Sequence, residues 1–415
     1  MNILVIQSPF MPVTIGGSNF GGIESYVDIF CRNAVNFGHN VTLIATQDCK
    51  CLGDWEDKIT IIRIEAPCKA QMAVDSGEPK IRFKYEQLCG LINKVGIENF
   101  DLVVNNSDKV KVNNTLYQLA KKLDSHNVVT YMHNPPIFMG SDKTCSKYVQ
   151  FMDRITYVAN SWYNFNKWNQ MSQKMHGVDV VTSINQLRIE DVAKDIYKSN
   201  SDDYTYNPIY PLGGCIACVG RVTEQKNPVA VYDFCRLSNI ATDFYGVLTQ
   251  DKKVVDKFCE KLDSTRVNNI PFRFRENFPV VEKLKQIYDR GAMTISLSTW
   301  ETYGITAAES FALGLPIVVN ENTENNIMYF IKNYDESETI ETDTYTVNTL
   351  GIILKKVKGG LPNQVKAFNE AVSVLRELYN RTLVRDYFNR KCKFNNQHIL
   401  DFKFIVDRNK DCDAG

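Results

Sequence analysis

The sequence lacks both an excess of charge and a long apolar run. Its 415 residues carry 48 Lys and Arg against 48 Asp and Glu, so the formal net charge at neutral pH is zero. A protein that binds nucleic acid mainly through its overall charge is strongly basic, so this class is disfavoured, although a local basic patch is still compatible with the composition. Because no stretch approaches the roughly 18 apolar residues of a membrane-crossing helix, we expect no membrane span.

Residues of the kind that bind metals or form disulfide scaffolds are sparse and irregularly spaced. The chain has five histidines and twelve cysteines. Cys215 and Cys218 form one C-x-x-C pair, but neither a second pair nor histidines at ligand spacing accompany it, so no zinc site is predicted. The pair lies in an apolar run, which predicts buried free thiols in a strand. Free thiols and an apolar start without a signal-peptide pattern predict a reducing, cytoplasmic location.

Short apolar runs alternate with longer amphipathic stretches along most of the chain. Runs rich in Val, Ile and Leu are typical of strands that are buried on both faces of a parallel sheet. Strands are predicted at residues 3–6, 41–45, 59–64, 102–104, 128–131, 155–158, 178–181, 215–219, 244–248, 272–274, 293–297 and 317–320. Helices are predicted at residues 23–37, 85–95, 115–123, 228–237, 280–288 and 306–313, and over most of 363–407. This alternation predicts an α/β fold with doubly wound sheets.

A polar, turn-rich stretch at residues 198–211 interrupts the alternation and predicts a boundary between two α/β domains of similar size. We place the first domain at residues 1–205 and the second at 206–385. A helical tail at 386–415 follows, which we expect to pack back on the first domain. Open α/β sheets bind ligands beyond the carboxyl ends of their strands, so two facing domains would form a ligand-binding cleft between them.

The segment from Ser298 to Pro316 carries the clearest functional pattern. A buried strand ends near Ser298, a loop with Glu301 and Gly304 follows, and a short helix carries Glu309. Gly304 lets the backbone approach a ligand closely, and the free N–H groups after it form an anion site. For either glutamate alone, an ordinary acidic residue at a helix start is the simpler interpretation. Together they predict a ligand with hydroxyls on both sides of a phosphate, such as a nucleotide sugar.

A second pattern, Gly220-Arg221 followed by Lys226, comes directly after a predicted strand and before a predicted helix. Both cations would project from the carboxyl edge of the sheet into the cleft. Two cations at that position can hold a diphosphate and neutralise the charge that develops on a leaving group. Taken alone, a loop of this kind is more often a surface loop with two solvated cations.

Two weaker patterns lie in the first half of the chain. The glycine-rich loop with Gly21 and Gly22 separates a predicted strand from a predicted helix, as a phosphate-approach element does, but it does not match the dinucleotide-binding fingerprint. His133 follows a predicted strand and precedes Asn-Pro-Pro, so we expect it at the carboxyl edge of the sheet. A histidine with a purely structural role is the alternative.

Together these segments resemble the retaining GT-B glycosyltransferases, specifically the large glycosyltransferase family 4. The resemblance covers residues 2–320 and depends on the order of the motifs. These are the Gly-Gly loop followed by a Gly-His-x-Val run from Gly38, a strand ending in His133, an Asn-Ser pair ending at Ser161, the Gly-Arg and Lys pattern, and the Glu-x7-Glu segment. The resemblance implies a GT-B fold of two facing Rossmann-like domains, a cleft between them and a C-terminal helical tail. The first loop is longer than is usual in the family, and Tyr303 replaces the more usual Phe.

The resemblance also implies roles for individual residues. It implies a donor site made of Gly21, Gly22, Arg221, Lys226, Glu301, Thr302, Tyr303, Gly304, Ile305 and Glu309. The glycines and the Ile305 amide would lie near the diphosphate, Glu309 would bind the ribose hydroxyls and Glu301 those of the donor sugar. The implied catalytic residues are His133, Glu301, Arg221 and Lys226. The first domain would bind the acceptor and the second the nucleotide sugar, with no metal and no permanently bound cofactor.

The implied reaction is transfer of a hexosyl or pentosyl group, with retention, from a nucleotide-diphosphate sugar to a saccharide, lipid-linked or small-molecule hydroxyl. One alternative is a phage-type DNA glycosyltransferase that acts on a hydroxylated base. Zero net charge disfavours this alternative, but a local patch near Lys109, Lys111, Lys121 and Lys122 would be compatible with it. Further alternatives are a GT-B-fold epimerase or phosphorylase, the latter with a pyridoxal lysine, and a non-catalytic nucleotide-binding protein.

Overall fold

The computed structural model describes the chain in two compact units. The described residues are 1–9, 12–17, 19, 22–65, 79–133, 148, 150–159, 161, 167, 215–249, 251–268, 272–276, 280–321, 326–335 and 337–392. Those up to Lys167 belong to the first unit, and those from Cys215 to Cys392 belong to the second. The predicted linker at 198–211 and the strand predicted at 178–181 lie outside the described residues. The predicted domain bounds therefore stay predictions.

Six parallel strands form the main sheet of the first unit. They are β1 (Asn2–Ile6), β3 (Asn40–Thr46), β5 (Ile59–Ile64), β6 (Leu102–Asn105), β7 (Val128–Met132) and β8 (Ile155–Ala159). Two short strands, β2 (Thr14–Ile15) and β4 (Lys50–Cys51), pair separately. The spatial order of the main sheet is β5-β3-β1-β6-β7-β8, so the chain moves outward from β1 and then returns to its other side. This is the Rossmann order, in which ligands bind where the direction reverses, here between β1 and β6.

In the described part of the first unit, three helices cover this sheet, namely α1 (Gly22–Asn36), α2 (Pro79–Val95) and α3 (Val110–Lys122). The buried residues of α1 include Tyr26, Phe30 and Ala34 at helical spacing, which places one face of the helix on the core. The predicted glycine cap after α1 is confirmed, because Gly38 has a φ of +81° and its N–H donates to the Val35 carbonyl.

Eight strands form the sheet of the second unit, in the order β11-β10-β9-β12-β13-β16-β15-β14. They are β9 (Cys215–Val219), β10 (Thr242–Gly246), β11 (Phe272–Glu276), β12 (Gly291–Ser296), β13 (Ile317–Asn320), β14 (Ile340–Glu341), β15 (Tyr345–Asn348) and β16 (Gly351–Leu354). The first six in this order are parallel, and β15 and β14 extend the sheet with antiparallel pairs. The chain reverses direction between β9 and β12, which makes the carboxyl ends of these two strands the expected ligand position.

The second unit contributes seven helices to the described part of the chain. They are α4 (Pro228–Ser238), α5 (Lys252–Asn268), α6 (Val280–Arg290), α7 (Ile305–Ala312), α8 (Ile327–Lys332), α9 (Leu361–Leu378) and α10 (Arg381–Tyr387), with a π-helical turn at Phe388–Cys392 after α10. The described part of the predicted tail, residues 386–392, is helical and contacts α7. The remainder of the tail lies outside the described residues. Among the helices of the described ranges, none is both long and apolar enough to cross a membrane.

Most of the predicted elements are confirmed within a few residues. Cys215 and Cys218 are buried free thiols in β9, as the apolar run predicted. The prediction for β10 was wrong in position, because the strand begins at Thr242 rather than at residue 244. Helix α5 and the strands β14, β15 and β16 were not predicted. A charged strand residue explains the shift of β10, since Asp243 is buried there and Arg273 on β11 pairs with it at 2.7 Å.

A glycine at the start of β16 lets this strand lie close to β13 at the edge of the parallel part of the sheet. Gly351 has a φ of +152°, and a Cβ there would lie 2.0 Å from the Ile317 carbonyl oxygen of β13. We expect Gly351→Ala to lower the free energy of unfolding by about 2–4 kcal/mol, because the clash is with backbone. The control is Gly90→Ala in α2, where a Cβ meets nothing within 4 Å and a slight stabilisation is expected. Equal thermal stability of the two variants would contradict this prediction.

Candidate functional site

The loops that follow β9 and β12 lie side by side in the second unit. The first loop carries the two predicted cations, and the second carries the first predicted glutamate. Backbone and side-chain hydrogen bonds join the loops, since the Thr299 N–H donates to the Gln225 carbonyl at 2.8 Å and the Gln225 amide donates to the Trp300 carbonyl at 3.1 Å. The reversal of strand order thus brings together two motifs that are far apart in the sequence.

A buried ion pair joins Lys226 to Glu301. The Lys226 ammonium contacts Glu301 Oε1, and the two side chains are only 17% and 8% exposed. The aliphatic part of the lysine crosses Gly220, where a Cβ would lie 3.3 Å from Lys226 Cγ. Because both charges are largely removed from water, loss of either partner would leave the other uncompensated. The sequence predicted both residues at the site, but it did not predict that they bind each other.

Arg221 lies at the same carboxyl edge, two residues after β9 ends. Its side chain is partly exposed, and no ion pair or side-chain hydrogen bond involves it among the described residues. A guanidinium with unused donors suits phosphate, which it can bind in a bidentate manner.

Gly304 is the N-cap of helix α7. It has a φ of +89°, and a Cβ there would lie 2.5 Å from a side-chain carbon of Ile327 in α8, so both conformation and space require glycine. Within the described residues, the amides of Ile305 and Thr306 have no backbone acceptor. Free amides at the start of a helix favour an anion, as the sequence predicted for this turn.

Hydrogen bonds and an aromatic contact hold the loop before Gly304 in place. Asn326, which is buried, donates from its backbone N–H to the Glu301 carbonyl and from its side chain to the Tyr303 carbonyl, both at 2.9 Å. The Tyr303 ring is buried and packs edge to face on Phe330 of α8, with the ring centroids 5.7 Å apart. Thr302 lies between these anchored residues and is partly exposed. The backbone that carries Glu301 is therefore fixed independently of its ion pair.

The second predicted glutamate, Glu309, also has a cationic partner. Lys283 of α6 places its ammonium 3.2 Å from both carboxylate oxygens of Glu309 on α7. The Lys283 and Glu309 side chains are 10% and 13% exposed. Each of the two predicted glutamates is thus paired with its own lysine.

The first unit holds His133 at the carboxyl edge of its sheet, where the sequence predicted it. Its Nε2 lies 3.0 Å from the Asn106 side-chain oxygen, and its ring is 4.8 Å from Tyr131 and 5.5 Å from Tyr26, centroid to centroid. Burial lowers the pKa of His133 to about 3. The imidazole is therefore neutral at physiological pH, and its Nε2 shares a hydrogen bond with the Asn106 side chain. His133 can offer hydrogen bonds to a ligand but no charge.

The structure brings eight of the predicted residues to one part of the second unit, around the ends of β9 and β12 and on α7. They are Arg221, Lys226, Glu301, Thr302, Tyr303, Gly304, Ile305 and Glu309. Gly22 is the exposed first residue of α1 in the first unit, and Gly21 lies outside the described residues. No group of three or more His, Cys, Asp or Glu side chains that could hold a metal occurs in the described ranges.

Sequence reasoning missed four residues that support the site, namely Lys283, Asn326, Gln225 and Asn106. A signal for Lys283 was available, because this lysine falls among the apolar positions of α6, next to the buried Leu284. Asn326 and Asn106 are polar residues that become buried only through tertiary contacts, so nothing local marks them.

The depressed pKa of His133 gives the protein a specific dependence on pH. In the unfolded chain the histidine binds a proton below about pH 6.5, whereas in the folded protein it does so only near pH 3. The unfolded state binds more protons between these values, so stability falls as the pH is lowered from 6.5. We expect His133→Asn to reduce the loss of stability between pH 7 and pH 5 by about 2 kcal/mol, measured by thermal unfolding. An identical loss in the variant and the native protein would contradict this prediction.

Comparisons with known proteins identify the fold. No protein-family model matches the chain, and no curated protein is similar to it in sequence. HepE from Anabaena, solved in complex with UDP and glucose, is similar in structure with a TM-score of 0.59 and 12% identity over 98% of each chain. Sucrose-phosphate synthase from Thermosynechococcus elongatus (TM-score 0.63, 12% identity) and a glycosyltransferase from Rickettsia africae (0.61, 16%) also match over 98% of both chains. The chain therefore has the GT-B fold, built from two Rossmann-like units.

Proposed function

We propose that the protein is a retaining glycosyltransferase that moves a sugar from a nucleotide-diphosphate sugar to a hydroxyl acceptor. The observation that carries this proposal is the meeting of Arg221, Lys226 and Glu301 at the reversal of strand order in the second unit. Cations beside a carboxylate suit a ligand that carries both phosphates and sugar hydroxyls. HepE, which shares the fold, has been solved with UDP-glucose, and this supports a donor of the same class.

The donor diphosphate would bind between the cations and the start of α7. Arg221 has donors to spare, and the Ile305 and Thr306 amides lack backbone acceptors within the described residues. Lys226 can bridge a phosphate and Glu301, because an ammonium has three donors and its contact with Glu301 uses one of them. These groups would stabilise the negative charge that grows on the leaving diphosphate. They would do so without a metal ion.

The donor sugar would lie against Glu301, whose backbone is fixed by Asn326. Its carboxylate has lone pairs beyond those that Lys226 uses, and sugar hydroxyls would donate to them. Glu309 would bind the ribose hydroxyls. A neutral His133 would hydrogen-bond to a hydroxyl of the sugar or the acceptor rather than act as a cation.

The reaction we propose is a front-face displacement. The bond between the anomeric carbon and the diphosphate oxygen breaks, and a bond from the acceptor oxygen to the same face of that carbon forms. The acceptor's hydroxyl proton passes to the departing diphosphate oxygen. This path retains the anomeric configuration. It requires the protein to stabilise the leaving group and to orient the acceptor.

The acceptor would be a saccharide, a lipid-linked or a small-molecule hydroxyl, bound by the first domain. A DNA acceptor is the alternative. Of the lysines proposed for a basic patch, Lys111 forms an exposed ion pair with Glu86 at 2.9 Å, and Lys121 lies 5.9 Å from the ring of Tyr117. These contacts do not favour the DNA alternative, and salt-dependent retention on a DNA column tests it directly.

A panel of UDP, GDP, ADP and CDP sugars tests the proposed function. We expect one class of donor to raise the melting temperature, because ligands that bind only the folded state stabilise it. The same donor should then release its sugar to water or an acceptor, and NMR of the product should show retained anomeric configuration. Absence of a shift with every donor, or an inverted product, would contradict the proposal.

Arg221 allows a cleaner test of the diphosphate site than Lys226 does, because within the described ranges it has no ion-pair partner that its loss would leave unpaired. We expect Arg221→Met to weaken binding of the nucleoside diphosphate by about tenfold or more, since a charge-assisted hydrogen bond is lost. Calorimetric titration of both variants and the native protein measures this. Arg236→Met, at an exposed position of α4, is the matched control and should bind as the native protein does. Native affinity in Arg221→Met would remove Arg221 from the site.

A further inference from the structure

Lys283 is a buried lysine that the proposed reaction does not use. It is the fourth residue of α6 and lies on the face of the helix that packs on the core. Its exposed fraction is 8%. Lysine is almost never buried unless it is paired, and its partner here is Glu309, the residue proposed to bind the ribose. The pair joins α6 to α7 at the side of the proposed donor site.

The geometry of the pair orients the carboxylate. Lys283 Nζ is 3.2 Å from Glu309 Oε1 and 3.2 Å from Oε2, so the ammonium is equidistant from the two oxygens. A carboxylate has about four lone-pair directions, and this contact occupies one on each oxygen. One acceptor direction on each oxygen is left. Two neighbouring hydroxyls, such as the 2′ and 3′ hydroxyls of a ribose, can use both at once.

The pair is not required to hold α6 on the sheet. Leu284 and Ile287 of α6 are buried in an apolar cluster that also contains Leu313 and Leu315, and these contacts already attach the helix. A buried ion pair also contributes little net stability compared with apolar residues of the same volume. A lysine at this position is therefore better explained by what it does to Glu309 than by packing.

We infer that Lys283 is a positioning residue which holds Glu309 in the orientation that selects a ribonucleotide over a 2′-deoxyribonucleotide. The inference builds on the proposed function, because it assumes that Glu309 faces the ribose of the donor. Lys283 itself acts through Glu309. Without it, Glu309 would lose its fixed direction, and the contribution of the second hydroxyl to binding would fall.

The test compares Lys283→Met with the native protein, and Lys285→Met serves as the matched control. Lys285 is exposed on the same helix, two residues away. Calorimetry measures the affinity of each protein for UDP, GDP, ADP and CDP and for their 2′-deoxy counterparts. In the native protein and the control we expect the ribonucleotide to bind about tenfold more tightly than its deoxy form, which corresponds to one hydrogen bond to a charged group. In Lys283→Met we expect this ratio to approach one.

Two outcomes separate this inference from the proposed function. Failure of the native protein to bind any of the nucleotides would overturn the proposed function, and the inference with it. Nucleotide binding with an unchanged ratio in Lys283→Met would overturn only the role of Lys283. A structural role alone would change the melting temperature of the variant without changing the ratio.

A second variant covers the case in which Lys283→Met leaves Glu309 too poorly accommodated to fold. The double variant Lys283→Met, Glu309→Met removes both charges and both hydrogen-bonding groups and keeps the volumes similar, so it avoids an unpaired buried charge. We expect it to fold and to bind the ribonucleotide and the deoxyribonucleotide about equally. A ribonucleotide preference that survives in the double variant would show that neither residue reads the hydroxyl, and would overturn the inference.

Discussion

A charged side chain that is removed from water must have a partner, and this constraint organises the proposed donor site. Two lysines meet two glutamates there, Lys226 with Glu301 and Lys283 with Glu309. Each pair crosses between elements that are distant in the sequence, so each one fixes the position of a carboxylate that the ligand would need. Arg221, in contrast, has no such partner among the described residues, and we propose that it binds a phosphate. The two carboxylates of the proposed site are therefore held by ion pairs within the protein, whereas Arg221 is not.

The parts of the fold that could be predicted from the sequence are those whose signal is local. Strands such as β9 and β13 are short apolar runs that are buried on both faces, and their bounds were predicted to the residue. Helix α5 was missed because its own sequence is rich in charged residues and has few apolar positions. Strand β10 was misplaced because it contains Asp243, whose burial makes sense only with Arg273 on the neighbouring strand. Where the charge of a buried residue is compensated by a partner far along the chain, the local sequence pattern predicts the wrong strand position.

The same distinction explains what was predicted of the site. Glu301, Gly304 and Glu309 lie in one continuous segment, and the spacing of that segment could be recognised directly. The pairing of Lys226 with Glu301 depends on the reversal of strand order between β9 and β12, which the sequence does not encode locally. Asn326 supports the loop from a helix start that carries no distinctive pattern. Sequence reasoning found the groups proposed to touch the ligand more readily than the groups that hold them in place.

The far end of α7 is closed by the last described helices of the second unit. The Tyr379 hydroxyl donates to the Gly314 carbonyl, Arg381 donates to the Leu313 carbonyl at 3.2 Å, and the rings of Phe311 and Tyr387 meet edge to face. The π-helical turn, whose Phe388 and Cys392 are buried, then packs against α7 as well. An expression boundary for the second unit alone therefore has to lie beyond residue 392. A fragment that ends at residue 385 would keep every proposed ligand-binding group of this unit. It would lack Tyr387 and the π-helical turn, which pack against α7.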